Sequence, residues 1–129
     1  MAAGALAPAA FGGSQPFLTI PRMQLRAVLQ PALEPVGGPW LYWRDEDTTA
    51  IAAHRTHGRH PFLRLNELRP GDLIRLGTER YLVRRSLVVQ AHATWILNYR
   101  GLVLSACSRA DGTPTSAAYR IIVFAARVR

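Results

Sequence analysis

The chain has 129 residues, 49% of them hydrophobic, with sixteen arginines, no lysine and eight acidic residues, for a formal charge of +8. A chain of this length buries roughly two-thirds of its unfolded surface and forms one domain without disulfide staples, and its single cysteine, Cys107, excludes an internal disulfide in any case. No stretch approaches the roughly 18 consecutive apolar residues of a membrane helix. The arginines form no run longer than the Arg84-Arg85 pair and have no interleaved aromatics, so they describe a solvated basic surface rather than a stacking platform for nucleic acid.

Residues 1–16 are rich in Ala, Gly and Pro, lack both helical and strand periodicity, and are expected to form a mobile leader without chemistry. Residues 17–25 alternate well enough for an edge strand, with Pro21 tolerated where no ladder donor is needed, and residues 26–30 pair back on it. Pro31, Pro35, Gly37, Gly38 and Pro39 then impose a long loop. Trp40, Leu41, Tyr42 and Trp43 make an aromatic cluster, which we read as packing that closes one end of a small barrel. Asp45, Glu46 and Asp47 are the only acidic cluster. Three adjacent carboxylates on an extended chain diverge, whereas calcium takes about 6–8 convergent oxygens, so no metal is expected there.

The β-branched and small residues of 48–53 suggest a buried strand that delivers His54. His57, Arg59 and His60 follow in an irregular polar turn, and His92 sits in a separate loop; from pattern alone, any of His54, His57 and His60 could serve a nucleophile. Residues 61–68 space Phe62, Leu65 and Leu68 for a short turn of helix. Pro70-Gly71-Asp72 turns into a strand over 73–76, and Gly77-Thr78-Glu79 turns again into 80–83, a hairpin. Residues 86–89 and 94–97 are further strand-like pieces, and residues 98–101 turn the chain into the run 102–107, which ends at Cys107. A loop of Gly, Pro and small polar residues over 108–116 leads to a last strand, 120–125. Alternation there puts Arg120 on the face of Ile122 and Phe124, a cation among apolar neighbours. Strands at this density, joined by short turns, favour an all-β barrel.

Cysteine, histidine and arginine together can make a covalent catalyst. The thiolate attacks a carbonyl, the imidazole protonates the leaving amine, and the guanidinium offsets charge on the attacked oxygen.

The segments that carry these residues resemble the sortases, the Gram-positive cysteine transpeptidases. His54-Arg55-Thr56-His57-Gly58, Pro61-Phe62 and Leu68-Arg69-Pro70-Gly71-Asp72-Leu73-Ile74 resemble the region around the family's catalytic histidine. Val103-Leu104-Ser105-Ala106-Cys107 is similar to its Thr-Leu-x-Thr-Cys pattern, and Tyr119-Arg120-Ile121-Ile122-Val123-Phe124-Ala125 to its arginine strand. The order and spacing match from about residue 17 to 128, nearest in pattern to the compact class E and F enzymes. The resemblance implies a single closed eight-stranded barrel with short helical turns over 17–129, preceded by the leader at 1–16. It implies Cys107, His54 and Arg120 as catalytic residues, Ala106, Ser105 and Tyr119 as substrate-binding residues, and neither metal nor cofactor. The implied reaction cleaves the Thr-Gly bond of a Leu-Pro-x-Thr-Gly or Leu-Ala-x-Thr-Gly type sorting signal through a thioester. The acyl group then passes to an amine of a cell-wall precursor or a pilin lysine. The partners are thus a sorting-signal peptide and an amine acceptor, with no specific nucleic acid. The site implied is the outer face of the plasma membrane at the cell surface, with an N-terminal anchor expected in the full-length protein and not present in this chain. One departure is Ala106, where the family commonly has Thr; an apolar side chain cannot donate to an oxyanion, which leaves that role to backbone amides and Arg120. The alternative reading, drawn from Ala106, is a catalytically weak or inactive barrel that binds anionic envelope polymer or nucleic acid.

Overall fold

A computed structural model describes residues 15–32, 37–114 and 116–129; the expected leader lies outside the described residues up to position 14. Short alternating runs become strands wherever a turn-forming pair separates them. The first edge run breaks at Pro21, giving β1 (Phe17–Ile20), a 3-10 turn over Pro21–Met23 and β2 (Leu25–Val28) paired antiparallel on β1. Beyond the loop come β3 (Trp40–Arg44) and β4 (Thr48–Ala52), joined by a turn in which Asp45 Oδ1 accepts from the amides of Asp47 and Thr48. A 3-10 turn over Leu65–Glu67 precedes the hairpin of β5 (Leu73–Leu76) and β6 (Glu79–Gln90). The last two strands are β7 (Gly101–Ser108) and β8 (Tyr119–Val128). No helix among the described residues is long and apolar enough to cross a membrane.

The strand order is β2-β1-β5-β6-β8-β7-β4-β3, an eight-stranded sheet that is all-β as expected. It is a curled sheet rather than a closed barrel. Its edge strands β2 and β3 do not pair along their length, and among the described residues the ladder between them is the isolated bridge of Gln30 and Trp40 just past the end of β2. Two further expectations differ. Residues 86–89 are not a separate strand but the continuation of β6, which passes an irregularity between Val83 and Arg85 and pairs with β8 as far as Gln90. Residues 94–97 are not a strand: Trp95–Asn98 form a 3-10 turn that lays Ile96 on the sheet. A four-residue apolar run cannot be told from a helical turn by periodicity, and the strands on which Ile96 packs, β4, β7 and β8, are each already paired on both sides.

Alternation divides β7 and β8 between two cores. Leu102 and Leu104 of β7, with Ile121 and Val123 of β8, fill the concave interior beside Leu18, Ile74 and Tyr81. Val103, Ile122 and Phe124 point the other way and pack with Ala50 and Ile96. Burial of each such large side chain stabilises by roughly 1.5–3 kcal/mol, so β7 and β8 are fixed on both faces. β4 completes the frame by pairing parallel to β7, with Ala52 opposite Ser105.

Candidate active site

Three strand ends converge beside the loop that joins β7 to β8. In the antiparallel ladder Cys107 stands directly opposite Arg120, which puts their side chains on one face, with Cβ atoms roughly 4.5–5.5 Å apart in such pairs. On the other side of β7, the Ala53 amide donates to the Ser105 carbonyl at 3.2 Å, so the chain leaving β4 still tracks β7 when it reaches His54. His54 and Cys107 line one hollow of about 390 Å³, together with Arg55, His57, Ser116 and Ala117. Arg120 lines an adjoining groove of about 330 Å³, whose walls include Ser105, Ala52, Trp40 and Tyr42, with Val89, Ala91 and Ile96 facing them.

The histidine is held by packing. Its ring centroid lies 5.3 Å from that of Trp40 and 5.8 Å from that of His57, and its carbonyl accepts from the amide of Phe62, a fully buried anchor. His54 Nε2 is buried and finds no hydrogen-bond partner among the described residues, an uncommon condition for a buried polar atom and one suited to an atom that exchanges a proton with an incoming group. Arg120 Nη1 donates to the carbonyls of Ala117 and Tyr119, each at 2.9 Å, which ties the guanidinium to the loop over the site. That loop is itself turned by Arg109, whose carbonyl accepts from Gly112 and whose amide donates to Thr113. Burial pushes the Tyr42 hydroxyl up to about 12, against the opposing pull of Ser105 and Arg120, so Tyr42 presents a neutral phenol to the groove.

Of the residues expected at the site, Cys107, His54, Arg120 and Ser105 line these two hollows. Ala106 does not. Its side chain is 3% exposed and belongs to the concave interior, because alternation turns it away from the face of Cys107, so only its backbone can serve a substrate. Tyr119 lines neither hollow and alternates with Arg120, which leaves its carbonyl bond to Arg120 as its tie to the site. His57 and His60 are exposed, as is His92. Trp40 and Tyr42, read from sequence as packing, are half-buried walls of the groove. The β3 run is irregular between Leu41 and Trp43, and the successive rings of Tyr42 and Trp43 both pack on the core of Val103, Ile122 and Phe124, a shift invisible in a tetrapeptide of large residues.

The residue that the sequence offered least reason to notice is Arg55. It is 1% exposed, it donates from Nη1 to the Cys107 carbonyl at 3.1 Å and from Nη2 to Asn66 Oδ1 at 2.9 Å, and its Nε has no partner among the described residues. Its neighbour in the motif, His54, carries the recognisable chemistry, and nothing periodic in an irregular turn marks the next side chain as buried.

Comparison with known proteins agrees with the fold. The family model described as a sortase domain matches residues 18–128. Among solved structures, the chain is similar to sortase E1 from Streptomyces coelicolor, crystallised with a tripeptide in the active site, at a TM-score of 0.75 and 21% identity over 95% of this chain and 91% of that one. It is similar to the SrtA sortase of Actinomyces oris (TM-score 0.76, 17% identity, 88% of this chain and 79% of that one). It is also similar to sortase C of Streptococcus pneumoniae (TM-score 0.73, 16% identity, 89% and 68%). No curated protein sequence matched the chain.

Proposed function

Because the chain belongs to the sortase family, whose members are cysteine transpeptidases, we propose that it is a transpeptidase that cleaves a sorting signal of the Leu-Pro/Ala-x-Thr-Gly type and transfers the acyl fragment to an amine. The observation that carries the reading is the meeting of three unlike groups at the end of β7: Cys107 opposite Arg120 in the ladder, with His54 across the same hollow. The Cys107 thiolate attacks the carbonyl of the threonine, and the C–N bond to glycine breaks as a thioester forms. His54 supplies the proton to the departing amine, then takes one from the incoming amine that displaces the thioester. Arg120 donates to the substrate backbone and offsets charge on the attacked oxygen.

The groove lined by Trp40, Tyr42, Ala52 and Ile96 has the volume, about 330 Å³, and the apolar walls to take the Leu-Pro or Leu-Ala end of the signal, leaving the threonine carbonyl at Cys107. The tripeptide in the active site of the Streptomyces coelicolor sortase E1 supports a peptide as the substrate class. The hollow beside His54, His57 and Ala117 also holds Cys107 and suits the approach of the second amine, from a cell-wall precursor or a pilin lysine. Such a reaction belongs at the outer face of the plasma membrane of a Gram-positive cell.

The test is a set of internally quenched peptides carrying Leu-Pro-x-Thr-Gly or Leu-Ala-x-Thr-Gly, incubated with and without a glycyl amine, with the products sequenced by mass spectrometry. Cleavage between Thr and Gly, and a threonyl amide only when amine is added, are expected. Cleavage elsewhere, or none with any of the peptides, contradicts the reading.

A further inference from the structure

Arg55 is a buried cation with no buried anion to meet it. Its two hydrogen-bond acceptors, the Cys107 carbonyl and Asn66 Oδ1, are neutral, its Nε has none, and no carboxylate among the described residues forms an ion pair with it. An arginine side chain does not give up its proton to ease this burial, so the charge persists, and burying it without a counter-charge costs several kcal/mol in effect. Such a feature is retained in a folded chain when something else balances it.

We propose that Arg55 is a positioning residue of the thiol site: it fixes the end of β7 through the Cys107 carbonyl and supplies the buried positive charge against which the ionised Cys107 is balanced. The proposal rests on the reading of Cys107 as the nucleophile. The local structure is built for it. The Phe62 amide closes the 54–62 turn on the His54 carbonyl, Phe62 and Leu65 anchor that turn in the concave core, and Asn66 follows directly to receive Nη2. The turn therefore holds His54 and Arg55 as one unit, the imidazole facing the hollow and the guanidinium reaching the strand that carries the thiol. Burial pushes the Arg55 guanidinium down from its usual value, while Cys107 works in the opposite direction, as expected of a partner that can carry negative charge. The other charged or titratable groups facing Cys107 are His54 and His57 from the same turn and Arg120 from β8. His54 and Arg120 take part in the reaction itself, whereas Arg55 borders the hollow of His54 and Cys107 but spends its hydrogen bonds on Asn66 and the Cys107 carbonyl, and so acts through Cys107.

The pH profile of Cys107 alkylation by iodoacetamide reads this directly and needs no peptide substrate. In Arg55→Met the rate at pH 7 should fall about tenfold, with the midpoint of the profile displaced upward by about one unit; Arg55→Lys, which keeps the charge, should restore most of it. Asn66 is exposed, and Asn66→Asp places a carboxylate on Nη2 with the arginine still seated, so it should displace the profile in the same direction in a protein whose circular dichroism and melting are those of the parent. A wild-type profile in Asn66→Asp, or in a folded Arg55→Met, overturns the proposal. If the profiles move as stated but no peptide acylates Cys107, the coupling of Arg55 to the thiol stands and the transpeptidase reading falls.

Discussion

Ala106 and Cys107 are adjacent, yet the pleat sends one side chain into the concave core and the other to the hollow beside His54. Restoring the threonine that the family pattern has at position 106 is therefore expected to bring no gain in acylation rate. Its hydroxyl would enter an apolar interior, and Ala106→Thr should lower the stability by about 1–3 kcal/mol where the hydroxyl finds no partner, read from a denaturant titration. Cys107→Ala, by contrast, removes a half-buried thiol from the rim of a hollow, so it should leave the melting point close to that of the parent while abolishing cleavage. Arg120→Lys keeps the charge but loses the planar fork, and kcat/KM for a sorting peptide should fall by about 10²-fold. The residues with distinctive chemistry were legible in sequence because each stands inside a patterned segment. Arg55 was not, since its burial depends on Cys107 and Asn66, positions 52 and 11 residues away.

At the scale of elements, β7 is the strand on which the site depends, and its first residue is its most constrained. Gly101 adopts φ +143°, and a Cβ there would sit 2.5 Å from the Ala125 carbonyl oxygen of β8 and 2.9 Å from the Tyr99 ring. Gly101→Ala should cost about 2 kcal/mol or more and loosen the β7–β8 ladder that sets Cys107 against Arg120, both measurable by denaturation and by amide exchange along β7. At the far end of the sheet from the site, Arg44 of β3 pairs with Glu79 of β6 at 2.9 Å, and Glu79 also accepts from Tyr81. Burial pushes the Glu79 carboxyl up, but its bonds from Arg44 and Tyr81 outweigh that and hold it below its ordinary value of 4.5. A carboxyl held low contributes stability that is fully present above its ordinary value and is lost as the pH falls through its folded value. Glu79→Gln should thus be less stable than the parent by about 1 kcal/mol at pH 7, and the difference should vanish in acid. The hairpin of β5 and β6, entered at Pro70-Gly71-Asp72 and turned at Gly77-Thr78-Glu79, was readable in sequence. The 3-10 turn at Trp95–Asn98 was not, because its conformation is set by docking Ile96 against Val103, Ile122 and Phe124 rather than by its own four residues.

For the whole molecule, the parallel pairing of β4 with β7 is the long-range contact that makes a site of separate strands, because it carries His54 to Cys107 across more than fifty positions of chain. An all-β class follows from strand density, whereas the gap between β2 and β3, crossed at the Gln30–Trp40 bridge, leaves no signal in composition. The net charge of +8, spread as separate arginines, predicts weak and sequence-independent binding to duplex DNA, with affinity falling steeply between about 50 and 200 mM salt in a filter or anisotropy assay. Charge of that kind leaves the chemistry of the molecule at the end of β7. The measurement that bears most directly on it is the intact mass of the protein quenched with acid during turnover of a Leu-Pro-x-Thr-Gly or Leu-Ala-x-Thr-Gly peptide. The account predicts a mass increase equal to the acyl fragment ending at threonine, located on Cys107, discharged by hydroxylamine and absent from Cys107→Ala. An unmodified Cys107 in a protein that still cleaves the peptide, or an adduct that survives hydroxylamine, would contradict it.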